Sequence, residues 1–176
     1  LAFLSVYNDH PHQKDSFCRT LKGFYKWLLK FGYITENPML LIEAPKLPEK
    51  ILRTITPEQV QTLLQAAESN RDKAIVALLA DSGARRAEFT SIRVDDLDME
   101  HNRIFVTGKG QKEGFLVFGN QTKQFLIQYI NDSHPVGLLF GLKPSGLRMV
   151  LLRLGDKAGV PVNPHAFRRG FATTLR

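Results

Sequence analysis

Along residues 14–31 apolar side chains recur at Leu21, Phe24, Tyr25, Leu28 and Leu29, the i, i+3, i+4, i+7, i+8 spacing that paints one face of a helix. Arg19, Lys22, Lys26 and Lys30 fall on the opposite side, within about 80° of one another at 100° per residue. Such a helix packs on its own domain with one face and offers cations to a polyanion with the other. Ordinary solubilising lysines would give the same pattern. Before it, residues 1–7 read as the end of a helix, closed by the polar run Asn8-Asp9-His10-Pro11-His12. After it, Gly32 supplies a helix stop and Asn37-Pro38 a turn. Pro45 and Pro48 then punctuate a polar, extended stretch that reads as a linker over residues 45–52.

Beyond the linker the pattern starts afresh. Thr56-Pro57-Glu58-Gln59 has the form of a capping box with proline at the first helical position, and Val60, Leu63, Leu64 and Ala67 carry the apolar face that follows. Residues 72–81 are nearly all apolar, which predicts a helix buried on every side. From residue 94 the period changes from 3.6 to 2, and residues 94–99, 103–107 and 114–118 read as three strands joined by tight turns. Helical spacing returns over 122–131 and 145–157 with a stop at Gly159, and Pro164 opens a last helix. The expected fold is mainly α with a small three-stranded antiparallel sheet, α+β in class. A helical piece over residues 1–44 precedes a second unit over residues 53–176.

Composition changes this picture in one respect. With 43% hydrophobic residues in 176, the chain has the apolar mass for one domain and part of another. Its net charge of +7, from 24 basic and 17 acidic residues, is unevenly spread. From Phe140 onward Lys143, Arg148, Arg153, Lys157, Arg168, Arg169 and Arg176 face the single acid Asp156. That concentration favours an anionic polymer such as DNA or RNA over a small acidic metabolite, with a solvated basic face as the plain alternative. The one cysteine, Cys18, has no partner for an internal disulfide, which fits a reducing, cytoplasmic setting. His10 and His12 lack further ligands, so no metal is expected. No apolar run approaches the ~18 residues of a membrane span, and residues 1–7 have no signal-peptide form. The chain opens on leucine, and its N-terminus is expected to lie upstream.

Three stretches carry candidate chemistry. In Ser82-Gly83-Ala84-Arg85-Arg86-Ala87-Glu88 a glycine ends the apolar helix and Arg85 and Glu88 open the next one. Gly108-Lys109-Gly110 sets a lysine at a hairpin tip, with Lys112 beside it. In Pro164-His165-Ala166-Phe167-Arg168-Arg169-Gly170-Phe171-Ala172-Thr173, His165 and Arg168 share one helix face. Singly, each has a bland reading: an intrahelical ion pair, a solvated loop lysine, a capping histidine. Together, two arginines, a lysine and a histidine are the donors a phosphate calls for.

These three stretches, in this order, resemble the tyrosine recombinases, or phage-type integrases: the Gly-x-Arg-x-x-Glu box, the β-hairpin lysine segment and the His-x-x-Arg box. Upstream, Gly32-Tyr33-Ile34, Asn37-Pro38 and Pro45-Lys46-Leu47-Pro48 resemble the back half of that family's core-binding domain. The resemblance implies a recombinase catalytic fold over residues 53–176, preceded over 1–44 by the C-terminal part of a helical core-binding domain. It implies DNA cleavage and rejoining through a 3′-phosphotyrosyl intermediate, without metal or cofactor, by a cytoplasmic protein that works on double-stranded DNA as a homotetramer on paired sites. Arg85 and Arg168 would hold the non-bridging oxygens, Lys109 would protonate the leaving 5′ oxygen, His165 would act as acid/base partner, and Glu88 would support the first arginine. Arg19, Lys22, Lys26, Lys30, Lys112, Arg148 and Arg169 are the expected DNA contacts. The chain departs from the family pattern at Gly114, where an arginine is common, and at Gly170, where serine or threonine is common. Its four tyrosines, Tyr7, Tyr25, Tyr33 and Tyr129, all precede the His-x-x-Arg box, whereas the family's nucleophile follows it. The expectation is therefore a piece that binds DNA without cutting it. A naturally inactive DNA-binding relative and, less favoured, a type IB topoisomerase-like enzyme are the alternatives.

Overall fold

The structure, a computed structural model, describes residues 2–47, 54–108 and 113–174. The chain divides into two compact units, Leu1–Ile51 and Leu52–Arg176.

In the first unit a single turn, α1 (Ala2–Ser5), precedes the long helix α2 (Pro11–Lys30). Pro11 stands at the first helical position and starts α2 three residues ahead of the expected residue 14, since a missing N–H costs nothing there. The helix ends at Phe31, and Gly32 follows with φ +74°, the left-handed stop that its sequence announced. The expected apolar face is present but only partly covered. Leu21, Tyr25 and Leu28 are half-buried, while Phe24 and Leu29 are exposed. Leu4, Cys18 and Met39 form this unit's small buried cluster.

In the second unit α3 (Pro57–Ala66) opens with the predicted capping box: Thr56 Oγ1 accepts from the Gln59 N–H at 3.3 Å, and the Thr56 N–H donates to Gln59 Oε1 at 3.1 Å. Helix α4 (Asn70–Ser82) is capped by Ser69, whose hydroxyl accepts from the Asp72 N–H. Every residue from Ala74 to Leu79 is buried, and α3, α6 and α8 pack around this helix. Six-residue α5 (Arg86–Ser91) follows the turn at Gly83.

The sheet has the strand order β1-β2-β3, all antiparallel, with β1 Leu97–Asp98, β2 Arg103–Thr107 and β3 Glu113–Val117. In β2 and β3 the register pairs Ile104 with Leu116 and Val106 with Gly114 on the inner face. The first expected strand, over residues 94–99, is a correction. Residues Val94–Asp96 form a turn of 3₁₀-helix, and pairing begins only at Leu97. The Asp96 carboxylate accepts from the Arg93 N–H at 2.8 Å, and a local bond of this kind draws the backbone away from the ladder. Helices α6 (Asn120–Ser133), α7 (Pro144–Ala158) and α8 (Pro164–Thr174) complete the unit. Asp81, near the end of α4, caps α6 from outside, accepting from the Gly119 N–H at 2.7 Å and the Thr122 hydroxyl at 2.6 Å. The end of α4 thereby holds the β3–α6 junction on one side and begins the Gly83 turn on the other.

Candidate active site

The turn after α4 carries the first arginine. Ser82 Oγ donates to the Leu78 carbonyl at 2.5 Å and accepts from the Ala84 N–H at 3.3 Å, so the buried turn is satisfied from within. Gly83 takes a left-handed conformation, φ +53° and ψ 28°, which a side chain would resist. Arg85 then starts α5, and Glu88 holds it twice: Oε2 accepts from the Arg85 N–H at 3.0 Å, and Oε1 from the Arg85 Nη1 at 2.6 Å. The carboxylate thus caps the helix and orients the guanidinium together.

Helix α8 brings the second arginine to the same turn, where Arg168 Nη1 donates to the Gly83 carbonyl at 2.9 Å. Arg85, Glu88 and Arg168 line one open cleft of about 340 Å³, whose other wall is Val106, Gly108, Gly114, Phe115 and Leu116 from β2 and β3. Burial pulls the Glu88 carboxyl upward, but the hydrogen bonds from Arg85 and the charges of Arg85 and Arg168 outweigh it, and its pKa lies below the ordinary 4.5. Two guanidinium groups against one ionised carboxylate leave the cleft with a net positive charge. Each guanidinium has a donor engaged in these bonds and carries further N–H groups of the kind that hold an oxyanion.

Of the residues singled out in the sequence, the cleft brings together Arg85, Glu88 and Arg168. His165 lies one turn before Arg168 on α8 with an exposed side chain, and it is not part of the cleft wall. Lys109 and Lys112 lie outside the described residues, in the stretch between Gly108, which follows β2, and Glu113, which begins β3. Arg19, Lys22, Lys26 and Lys30 are all exposed along α2, Arg19 paired with Asp15. Arg148 is exposed on α7, and Arg169 is half-buried on α8. Neither lines the cleft. Among the described residues no group of acidic, histidine and cysteine side chains could hold a metal ion, and no helix is long and apolar enough to cross a membrane.

The phage integrase family model matches residues 53–176, the stretch that contains this whole cleft. The chain belongs to the phage integrase family. It is 31% identical over 198 residues to the tyrosine recombinase XerC of Anoxybacillus flavithermus, covering 98% of this chain and 66% of that protein. It is 34% identical over 154 residues to the tyrosine recombinase XerA of Saccharolobus solfataricus, covering 87% of this chain and 50% of that protein. Among solved structures it resembles the integrase of mycobacterium phage Brujita at 26% identity and a TM-score of 0.64, over 96% of this chain and 59% of that one. The chain therefore spans less than two thirds of the length of these relatives.

The integrase fold also places residues that the sequence did not single out. Gly83 was legible as a helix stop, but the use of its carbonyl as the acceptor for Arg168, 85 positions on, has no sequence signal. Val106, Phe115 and Leu116 read as strand residues and turn out to wall the cleft. Tyr129, the one tyrosine of residues 52–176, is buried with its hydroxyl donating to the Leu139 carbonyl at 2.8 Å. Burial pushes this phenol's pKa up, with Arg71 pulling the other way.

Proposed function

We propose that this chain is the body of a site-specific DNA recombinase that cuts and rejoins double-stranded DNA through a 3′-phosphotyrosyl intermediate. Residues 1–44 belong to a core-binding domain, 45–52 to the linker and 53–176 to the catalytic domain. The observation that carries the reading is the convergence of Arg85 and Arg168 in one open cleft beside the buried Glu88 carboxylate. In the reaction a tyrosine oxygen bonds to the scissile phosphorus, the bond to the 5′ oxygen breaks, and the charge of the pentacoordinate state gathers on the non-bridging oxygens. The two arginines hold those oxygens without proton transfer of their own. Lys109 gives its proton to the departing 5′ oxygen, and His165 takes part in the acid/base steps. Rejoining runs the same steps backwards and needs no external energy, since one phosphoester replaces another.

The exposed row Arg19, Lys22, Lys26 and Lys30 tracks the duplex backbone, with Lys112, Arg148 and Arg169 as further contacts. The complete protein works in the cytoplasm as a homotetramer on paired sites, with no metal or cofactor. Tyr129 is committed to the Leu139 carbonyl in the core, which supports a nucleophile other than Tyr129, a tyrosine that follows the His-x-x-Arg box in the family pattern.

The test is made on the complete gene product with a nicked duplex that traps the covalent adduct. Arg168→Ala is expected to lower adduct formation by about 10³-fold while the duplex Kd stays within about two-fold, and excess chelator should leave the rate unchanged. A large loss of affinity with cleavage intact would reverse the role given to Arg168. Salt-sensitive duplex binding with no adduct from the wild type would leave the inactive DNA-binding relative as the reading, one that the burial of Tyr129 also fits.

A further inference from the structure

Two glycines let α8 approach its neighbours at backbone distance. A Cβ on Gly170 would lie 2.6 Å from the Ile55 carbonyl oxygen. A Cβ on Gly83 would lie 2.7 Å from Cδ1 and 2.9 Å from both Cβ and Cγ of Phe171. The Phe171 side chain therefore rests directly on the Gly83 backbone. Arg168, three residues earlier on the same helix, donates to the carbonyl of that same glycine at 2.9 Å. One contact sets how near α8 stands to the turn, and the other needs that spacing, because a hydrogen bond weakens steeply beyond a few tenths of an ångström. Arg85 follows Gly83 by two residues, so both guanidinium groups are referred to one point on the backbone.

We propose that Phe171 is a positioning residue for the arginine pair: its ring, seated on Gly83, sets the separation at which Arg168 reaches the Gly83 carbonyl and shares a cleft with Arg85. Phe171 is half-buried and borders an apolar groove with Ile55, Val60, Ala80 and Phe167. It is thus a smaller part of the core than a fully buried leucine such as Leu151. Its loss should disturb the geometry of the cleft more than the stability of the fold. A misplacement of about 1 Å costs on the order of 10²-fold in rate where orientation matters. That consequence rests on the cleft being a phosphate site. The spacing itself does not, and it is read without DNA.

The test uses NMR of isotope-labelled arginine side chains in the ligand-free 176-residue chain. In the wild type the bond to Gly83 should slow rotation of the Arg168 guanidinium, so that its Nη protons resolve. Phe171→Ala should average those signals, and Phe171→Met, which keeps the length of the side chain, should restore them. Leu151→Ala should lower the melting temperature more than Phe171→Ala and leave the Arg168 signals resolved. Should Phe171→Ala not fold, Phe171→Val, which keeps the Cβ but lacks the ring and the Cδ1 that comes nearest to Gly83, decides the question in its place. Resolved Arg168 signals in the truncated variant would overturn the proposal, as would their equal loss in Leu151→Ala. A wild type that shows the resolved signals yet binds no duplex would remove the DNA reading and leave the positioning role standing.

Discussion

In residues 52–176 the central helix α4 is buried along Ala74–Leu79 and walled by α3, α6 and α8. In the described part of residues 1–51 the longest helix, α2, has two aromatic rings exposed on its C-terminal half, Phe24 and Trp27, and a third, Phe31, exposed at its C-cap. The first arrangement has the large continuous core expected of a self-sufficient domain. Among its described residues the second has three buried apolar ones, while Trp27 stays 48% and Leu41 92% exposed. Its rings stack on one another instead: Phe24 on Trp27 at 6.4 Å between centroids and Trp27 on Tyr33 at 5.4 Å, with Lys30 over Phe31 at 5.7 Å. Geometry in the larger unit is therefore fixed by packing, and the cleft inherits its order from the end of α4. The smaller unit is a surface, and its substitutions should register in what it binds more than in how it folds.

The sharpest way to break that contrast is to remove one leucine from each unit. Leu78→Ala empties a fully buried site on α4 and should cost about 2–5 kcal/mol. Leu41→Ala takes an exposed side chain and should stay within about 0.5 kcal/mol. Urea unfolding of both variants beside the wild type makes the comparison. A cost for Leu41→Ala near that of Leu78→Ala would mean that the open surface of residues 1–51 is covered in solution.

The same contrast explains what could be read from the sequence. The capping box at Thr56–Gln59, the all-apolar run of α4 and Pro164 at the start of α8 each declare themselves through local chemistry, and each stands where expected. The strand expected from residue 94 begins only at Leu97 because apolar alternation carries no sign of the bond by which the Asp96 carboxylate holds the Arg93 N–H. On α2 the period was right, but a period says which residues share a face and not whether anything covers it. Arg85, Glu88 and Arg168 were legible as chemistry. That they meet depends on the Gly83 carbonyl and the Phe171 ring, contacts made across 85 and 88 positions of chain.

A finer perturbation acts at the cleft through pH. The folded pKa of Glu88 lies below its ordinary 4.5, so its contribution to stability is fully present above the unfolded value and is lost as pH falls through the folded one. Glu88→Gln mimics the protonated group while keeping an acceptor for the Arg85 N–H. Melting temperatures of the variant and the wild type should differ most above about pH 5 and converge as acid protonates Glu88 in the wild type. A difference that persists unchanged to low pH would show that shape, not charge, is what Glu88 supplies. Asp98 is depressed likewise, by the N–H of His101, the Arg103 side chain and the His101 ring. It will add acid sensitivity at the β1–β2 turn, away from the cleft.

The smallest expected effect lies outside both the core and the cleft. Among the described residues two other than glycine hold left-handed backbone, Asn102 with φ +53° and His134 with φ +45°. His134 caps the end of α6 with its N–H on the Ile130 carbonyl at 2.9 Å, a bond that needs no side chain. His134→Gly should therefore stabilise the protein by about 0.5–1 kcal/mol, since glycine takes this conformation without a Cβ penalty. Asn102→Gly relieves the same backbone but also removes the bond from Asn102 Nδ2 to Asn120 Oδ1 at 3.0 Å, which ties the β1–β2 turn to the start of α6. Its gain should be offset, leaving stability level or lower. Thermal melts of the two variants side by side separate backbone strain from side-chain bonding. Equal gains would mean that the Asn102–Asn120 bond contributes nothing to holding α6 against the sheet.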